Sequence, residues 1–93
     1  MNRLVLKAQV VERGALRYTP AGLPACDLGL KHESDVTEAG QPRKVFMEIK
    51  AVIIGDLAQR LMQRDIGSEA TFAGFLTNQR NGRGTVFHIT EFD

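Results

Sequence analysis

The chain has 93 residues, 43% of them hydrophobic and 25% charged, which is the make-up of one ordinary folded domain and excludes a disordered or fibrous chain. Twelve basic residues stand against eleven acidic ones, and a net charge of +1 gives no bulk attraction for a polyanion. The longest apolar run, residues 51–54, is far short of the roughly 20 residues a membrane helix needs, there is no cleavable leader pattern, and the single Cys26 cannot form an internal disulfide, so the expected location is the cytoplasm.

Residues 3–11 alternate: Leu4, Leu6, Ala8 and Val10 share one face, and Arg3, Val5, Lys7, Gln9 and Val11 the other, which predicts a first strand. Val5 and Val11 make part of the second face apolar, so a second subunit is expected to cover it. A chain of this length buries only about 60–65% of its unfolded surface, which also favours dimerisation. Residues 13–24 collect Gly14, Pro20, Gly22 and Pro24, turn chemistry that predicts a long hairpin connection in which Arg17 stands beside Tyr18. Residues 25–33 alternate again as a second strand, with Gly29 predicting a bulge or bend and Cys26 read as buried packing. Residues 34–44 are polar, contain Gly40 and Pro42, and predict a mobile loop that carries Arg43 and Lys44.

Residues 45–54 are the most regular stretch. Val45, Met47, Ile49, Ala51 and Ile53 form an apolar face, while the opposite face reads Phe46, Glu48 and Lys50 before Val52 and Ile54. Phe46 is therefore an aromatic on the polar side of a central strand, the mark of a binding surface. A short helix is expected over 56–64, with Asp56 as N-cap, Gln59 at capping-box spacing, an apolar stripe of Leu57, Ala58, Leu61 and Met62, and Gly67 as a stop. Strands follow over 69–76, where Phe72 and Phe75 fall on opposite faces and Gly74 is a possible kink, and over 85–92. Between them Asn81-Gly82 is a hairpin signal flanked by Arg80 and Arg83, in a stretch without any acid between Glu69 and Glu91 that also holds His88.

Five short strands with one helix between the third and fourth predict an all-β, five-stranded oligonucleotide-binding (OB) barrel spanning residues 1–93 as one domain. An open five-stranded sheet with the helix on one face is the alternative. No enzymatic pattern survives inspection. His32, Glu33 and Asp35, and His88 with Glu91, lack metal-ligand spacing; Ser34 and Ser68 lie in no nucleophile elbow; and Gly82-Arg83-Gly84 is no phosphate loop. The residues fit a non-catalytic binder better. A single strand of nucleic acid is held by cations that follow its phosphates and by aromatic rings on which bases stack. Phe46, Lys31, Lys50, Arg43, Lys44, Arg80 and Arg83 are the candidates, with Arg17 and Tyr18 beside them. Phe75 and Phe87 are read as core.

Asn2-Arg3-Leu4-Val5-Leu6, Pro20-x-Gly22-x-Pro24, Leu30-Lys31-His32-x-Ser34, Glu38-Ala39-Gly40 and Val52-Ile53-Ile54-Gly55 together resemble the primosomal replication protein N (PriB) family over nearly the whole chain. The resemblance implies a dimeric OB-fold related to bacterial single-stranded DNA-binding protein, without catalytic activity or cofactor, that binds single-stranded DNA and the PriA helicase in restarting stalled replication forks. It places the family's third-strand aromatic at Phe46, where a Trp stands in the best-known relatives, and its basic last hairpin at Arg80 and Arg83. Glu33 stands where a basic residue is expected, which implies weaker DNA binding and a larger share for protein partners. A protein-interaction module with weak nucleic-acid binding is the alternative function.

Overall fold

The computed structural model describes residues 1–80 and 82–93. Its elements are β1 (Leu4–Arg13), β2 (Arg17–Tyr18), β3 (Pro24–Glu38), β4 (Gln41–Ile54), α1 (Asp56–Leu61), β5 (Glu69–Asn78) and β6 (Thr85–Phe92). The sheet runs β1-β5-β6-β4-β3, and an additional β1–β3 pairing closes it into a five-stranded barrel, with β2 as a two-residue addition to the edge of β3. All pairings are antiparallel except β4 with β6. This is the predicted OB-fold, and the alternative of an unclosed sheet is excluded by the β1–β3 ladder.

Closure depends on two irregularities. β1 serves two partners, pairing with β5 from Leu4 to Gln9 and with β3 from Gln9 to Arg13, and a register shift between Val10 and Glu12 bends it from one to the other. Gly29 sits opposite Glu12 at that bend, where a Cβ would lie 3.3 Å from the Glu12 Cβ. A bulge with a glycine facing it is the usual way to turn a small sheet sharply. The second irregularity is a register shift in β5 at Ala73/Gly74 against β6. Both glycines singled out by the sequence thus mark bends.

The alternation of apolar residues explains the interior. Phe72, Phe87, Leu30, Ile53, Leu61, Val10 and Cys26 are the largest fully buried side chains, each of the large apolar ones contributing about 1.5–3 kcal/mol through burial. Burial also pushes the Cys26 thiol pKa up, consistent with packing and not with a reactive thiolate. Six residues are too few for α1 to be stable alone. The helix persists because Ala58 and Leu61 are buried in the core cluster.

Three local expectations are corrected. Asp56 is not the N-cap: Gly55 takes that position at φ 96° without any side-chain cap, and Asp56 lies in the first turn, where its charge favours the helix dipole. The helix ends at Leu61 and not near Gly67: its last turn tightens into i→i−3 bonds, with Gln63 N–H donating to the Arg60 carbonyl at 3.2 Å and Arg64 N–H to the Leu61 carbonyl at 2.9 Å. The connection 13–24 contains the short β2.

The largest correction concerns residues 34–44, which form no mobile loop. β3 continues to Glu38, β4 begins at Gln41, and the two pair residue for residue through Glu38↔Gln41. Ala39 at φ 52° and Gly40 at φ 76° make the turn, the conformation of a type I′ hairpin. The ribbon beyond the barrel carries exposed polar pairs, with ion pairs Lys44–Asp35 at 4.0 Å and Arg43–Glu38. Its polar sequence hid the strands because no core lies under them to impose alternation.

Candidate nucleic-acid interface

The outward faces of β3 and β4 carry the predicted residues in register. Successive cross-strand pairs on this face are Asp27↔Val52, Gly29↔Lys50, Lys31↔Glu48, Glu33↔Phe46 and Asp35↔Lys44. Paired residues share a face of the sheet. The parallel pairing Val52↔His88 and the antiparallel pairing Phe75↔His88 extend the first of these rows across β6 to β5.

Phe46 is 60% exposed on a strand whose neighbours Val45 and Met47 turn toward the apolar side. The Lys31 Nζ lies over its ring, 4.9 Å from the centroid. Lys31 pairs with Glu48, so it meets Phe46 diagonally, at a distance a long side chain bridges. A cation over an exposed ring contributes about 0.5–1 kcal/mol.

Toward the other end of the same face lies a groove of about 590 Å³. Val52, Ile54 and Val86 give it an apolar floor, while Lys50, Arg80, Arg17 and His88 supply basic groups from four different segments. Two acids, Glu12 and Asp27, also line it. Arg17 donates two hydrogen bonds to the Asp27 carboxylate, from Nε at 2.8 Å and from Nη2 at 3.1 Å. That fork holds the Asp27 carboxyl below its usual pKa and raises that of Arg17. Lys50 and Arg80 have no ion-pair partner among the described residues.

The structure therefore brings Lys50, Arg80 and Arg17 into one groove and places Phe46 with Lys31 farther along the same sheet face. Arg43 and Lys44 are not on a flexible flank; they sit on β4 beyond Phe46, each in an ion pair. Tyr18 is 63% exposed on β2 beside Pro24 and is not part of the groove lining. Arg83 is exposed in the connection between β5 and β6 and likewise lies outside the groove lining. That hairpin is held by Gln79 N–H donating to the Gly84 carbonyl at 3.1 Å and Gly82 N–H to the Gln79 carbonyl at 2.9 Å. Asn81 of the predicted turn signal lies outside the described residues.

Sequence reading underrated His88 and Phe75. Phe87 is core as expected, but Phe75 is 39% exposed, its ring stacked on the His88 imidazole at 4.9 Å and 13°. The signal was present in β6: with Phe87 and Ile89 inward, parity turns His88 outward.

Residues 2–91 match the family model described as another single-strand binding protein family. The chain is 54% identical over 80 residues to the replication restart protein PriB of Bordetella pertussis, covering 86% of this chain and 75% of that protein. The crystal structure of PriB from Ralstonia solanacearum superposes with a TM-score of 0.91 at 36% identity, covering 100% of this chain and 96% of that one. The single-stranded DNA-binding (SSB) domain of a Synechococcus protein is similar at TM-score 0.72 and 26% identity, over 99% of this chain and 93% of that one. The closed barrel, the extent of the family match and these identities agree: the chain belongs to the single-strand binding protein family, in its PriB branch.

Proposed function

We propose that this chain is a single-stranded DNA-binding accessory protein of replication restart, without catalytic activity of its own, that works in the bacterial cytoplasm with the PriA helicase to assist reloading of the replication machinery. The observation that carries this reading is the exposed Phe46 ring beneath Lys31, on the sheet face that also presents the Lys50, Arg80 and Arg17 groove. OB barrels bind oligonucleotides on this face, between the loops that follow their first and fourth barrel strands. Phe46 stacks a base. Lys50, Arg80 and Arg83 meet phosphates, and Lys31 is released to a phosphate when a base replaces it on the ring. Arg17 adds a cation to the groove and Tyr18 extends the track past it, while Arg43 and Lys44, ion-paired with Glu38 and Asp35 and outside the groove, contribute least. Names of relatives, replication restart protein and single-stranded DNA-binding domain, support the assignment.

Fluorescence anisotropy of a labelled oligonucleotide across a salt series tests it. Affinity is expected to fall as salt rises, with a log–log slope of roughly 0.7 for each phosphate neutralised. Absence of binding at low salt overturns the DNA reading. It leaves the second reading, a protein-docking module, which the internally paired charges of the β3–β4 ribbon favour.

The same reading includes a homodimer. From Leu4 to Ala8, β1 pairs with β5 on one side only, since the β3 ladder begins at Gln9. Val5 and Val11 are exposed on its outer face, and Val36 is exposed on the ribbon. An open strand edge beside apolar side chains is a template for a second chain. Sedimentation equilibrium is expected to give the mass of a dimer, and a monomer at micromolar concentration overturns this part.

A further inference from the structure

We propose that Asp27 is an affinity-setting residue of the groove: it occupies the guanidinium fork of Arg17, and single-stranded nucleic acid gains that arginine only by displacing the carboxylate. The inference rests on the nucleic-acid reading above. Arg17 pairs with Ala25 across the β2–β3 ladder, and Asp27 lies two residues farther along β3, so both side chains stand on the outward face. The two hydrogen bonds, 2.8 and 3.1 Å, come from adjacent donors of one guanidinium. A carboxylate held in this way takes the planar, bidentate place that a phosphate would take. Asp27 is also held in place from behind, because its backbone carbonyl accepts a hydrogen bond from Gly14 N–H at 2.8 Å.

Position gives the pair its consequence. Both residues line the same groove as Lys50 and Arg80, which are not ion-paired among the described residues. Arg17 and Asp27 thus present no net charge where the other cations of the groove present two. The side chains are 50% and 61% exposed, and exposed pairs of this kind are weak. A polyanion can therefore exchange with Asp27, but only by leaving its carboxylate unpaired beside the incoming phosphates.

Removing the carboxylate is expected to tighten binding. Asp27→Asn keeps the shape of the side chain, and Asp27→Ala serves as a second variant if asparagine still accepts from Arg17. Anisotropy with an oligothymidylate at low salt is expected to show about threefold to tenfold tighter binding, and the salt slope is expected to rise by roughly 0.7, the value for one added phosphate contact. The gain should vanish when Arg17→Ala and Arg17→Ala/Asp27→Asn are compared, because no arginine is then released. Wild-type binding with both Asp27 variants unchanged or weaker overturns the proposal alone. A gain that persists without Arg17 also overturns it, since the acid would then act by general repulsion. Absence of binding by the wild type and every variant overturns the nucleic-acid reading together with this one. Circular dichroism of each variant confirms that the barrel is folded before affinities are compared.

Discussion

Replacing Gly74 by alanine should destabilise the barrel by about 3 kcal/mol or more, at the upper end of what overpacking does. A Cβ at this position would lie 1.8 Å from the His88 carbonyl oxygen, 2.8 Å from its carbonyl carbon and 3.0 Å from the Ile89 Cα. All three are backbone atoms, so no rotamer change relieves the contact. Moving them is costly because β6 is tied on both sides at this level: Val52↔His88 and Ile53↔Ile89 join it to β4, while Phe75↔His88 and Gly74↔Ile89 join it to β5. Gly74 also pairs with Leu4 of β1, so displacing β5 instead disturbs the other side of the barrel. Urea unfolding at a fixed protein concentration, followed by circular dichroism, measures the effect. Gly14→Ala is the control, since a Cβ there would meet only the Asp27 carbonyl oxygen at an ordinary 3.5 Å; it should stay within about 0.5 kcal/mol of wild type. If Gly74→Ala also stays within that margin, the close approach of β5 and β6 is not needed for closure.

Gly74 also illustrates what was legible in the chain. A glycine inside an alternating strand signals a bend, and both Gly29 and Gly74 stand at register shifts. The core faces of β1, β3 and β4 followed from period-2 alternation because a filled interior imposes it. Where that interior ends, the signal ends too. The β3–β4 ribbon projects past the barrel with exposed side chains such as Thr37, Pro42 and Arg43, and nothing beneath it selects apolar residues, so two paired strands read as a loop. At the interface, parity placed Phe46, Lys50 and Lys31 on one outward face. It could not tell which cations are committed to neighbours. The Arg17–Asp27 and Arg43–Glu38 pairs join residues from different strands, and their partnerships depend on register. Arg17 and Asp27 in particular meet only because the two residues of β2 pair with the start of β3.

Phe46→Ala should weaken single-stranded DNA binding roughly 5- to 150-fold, the equivalent of one lost base stack of about 1–3 kcal/mol. Stability should change little in the same variant, because the ring is 60% exposed and lies opposite Glu33 and not over the core. The two energies at this ring decide how it works. The Lys31 contact at 4.9 Å is an exposed cation–π pair, worth about 0.5–1 kcal/mol. A stacked base offers about 1–3 kcal/mol, so on the proposed reading the base displaces the ammonium, which then has phosphates within the reach of its flexible stem. Phe46→Leu separates stacking from simple apolar contact: leucine keeps much of the bulk but has no π-face, and it should lose most of what alanine loses. Phe46→Trp enlarges the platform and should restore or exceed wild-type affinity. Anisotropy titrations of the three variants with one oligonucleotide at a single salt concentration provide the comparison. If Phe46→Ala binds as wild type while remaining folded, the exposed ring is no base platform. If Phe46→Leu binds as wild type while Phe46→Ala does not, the ring acts as an apolar contact, and the stacking assignment fails.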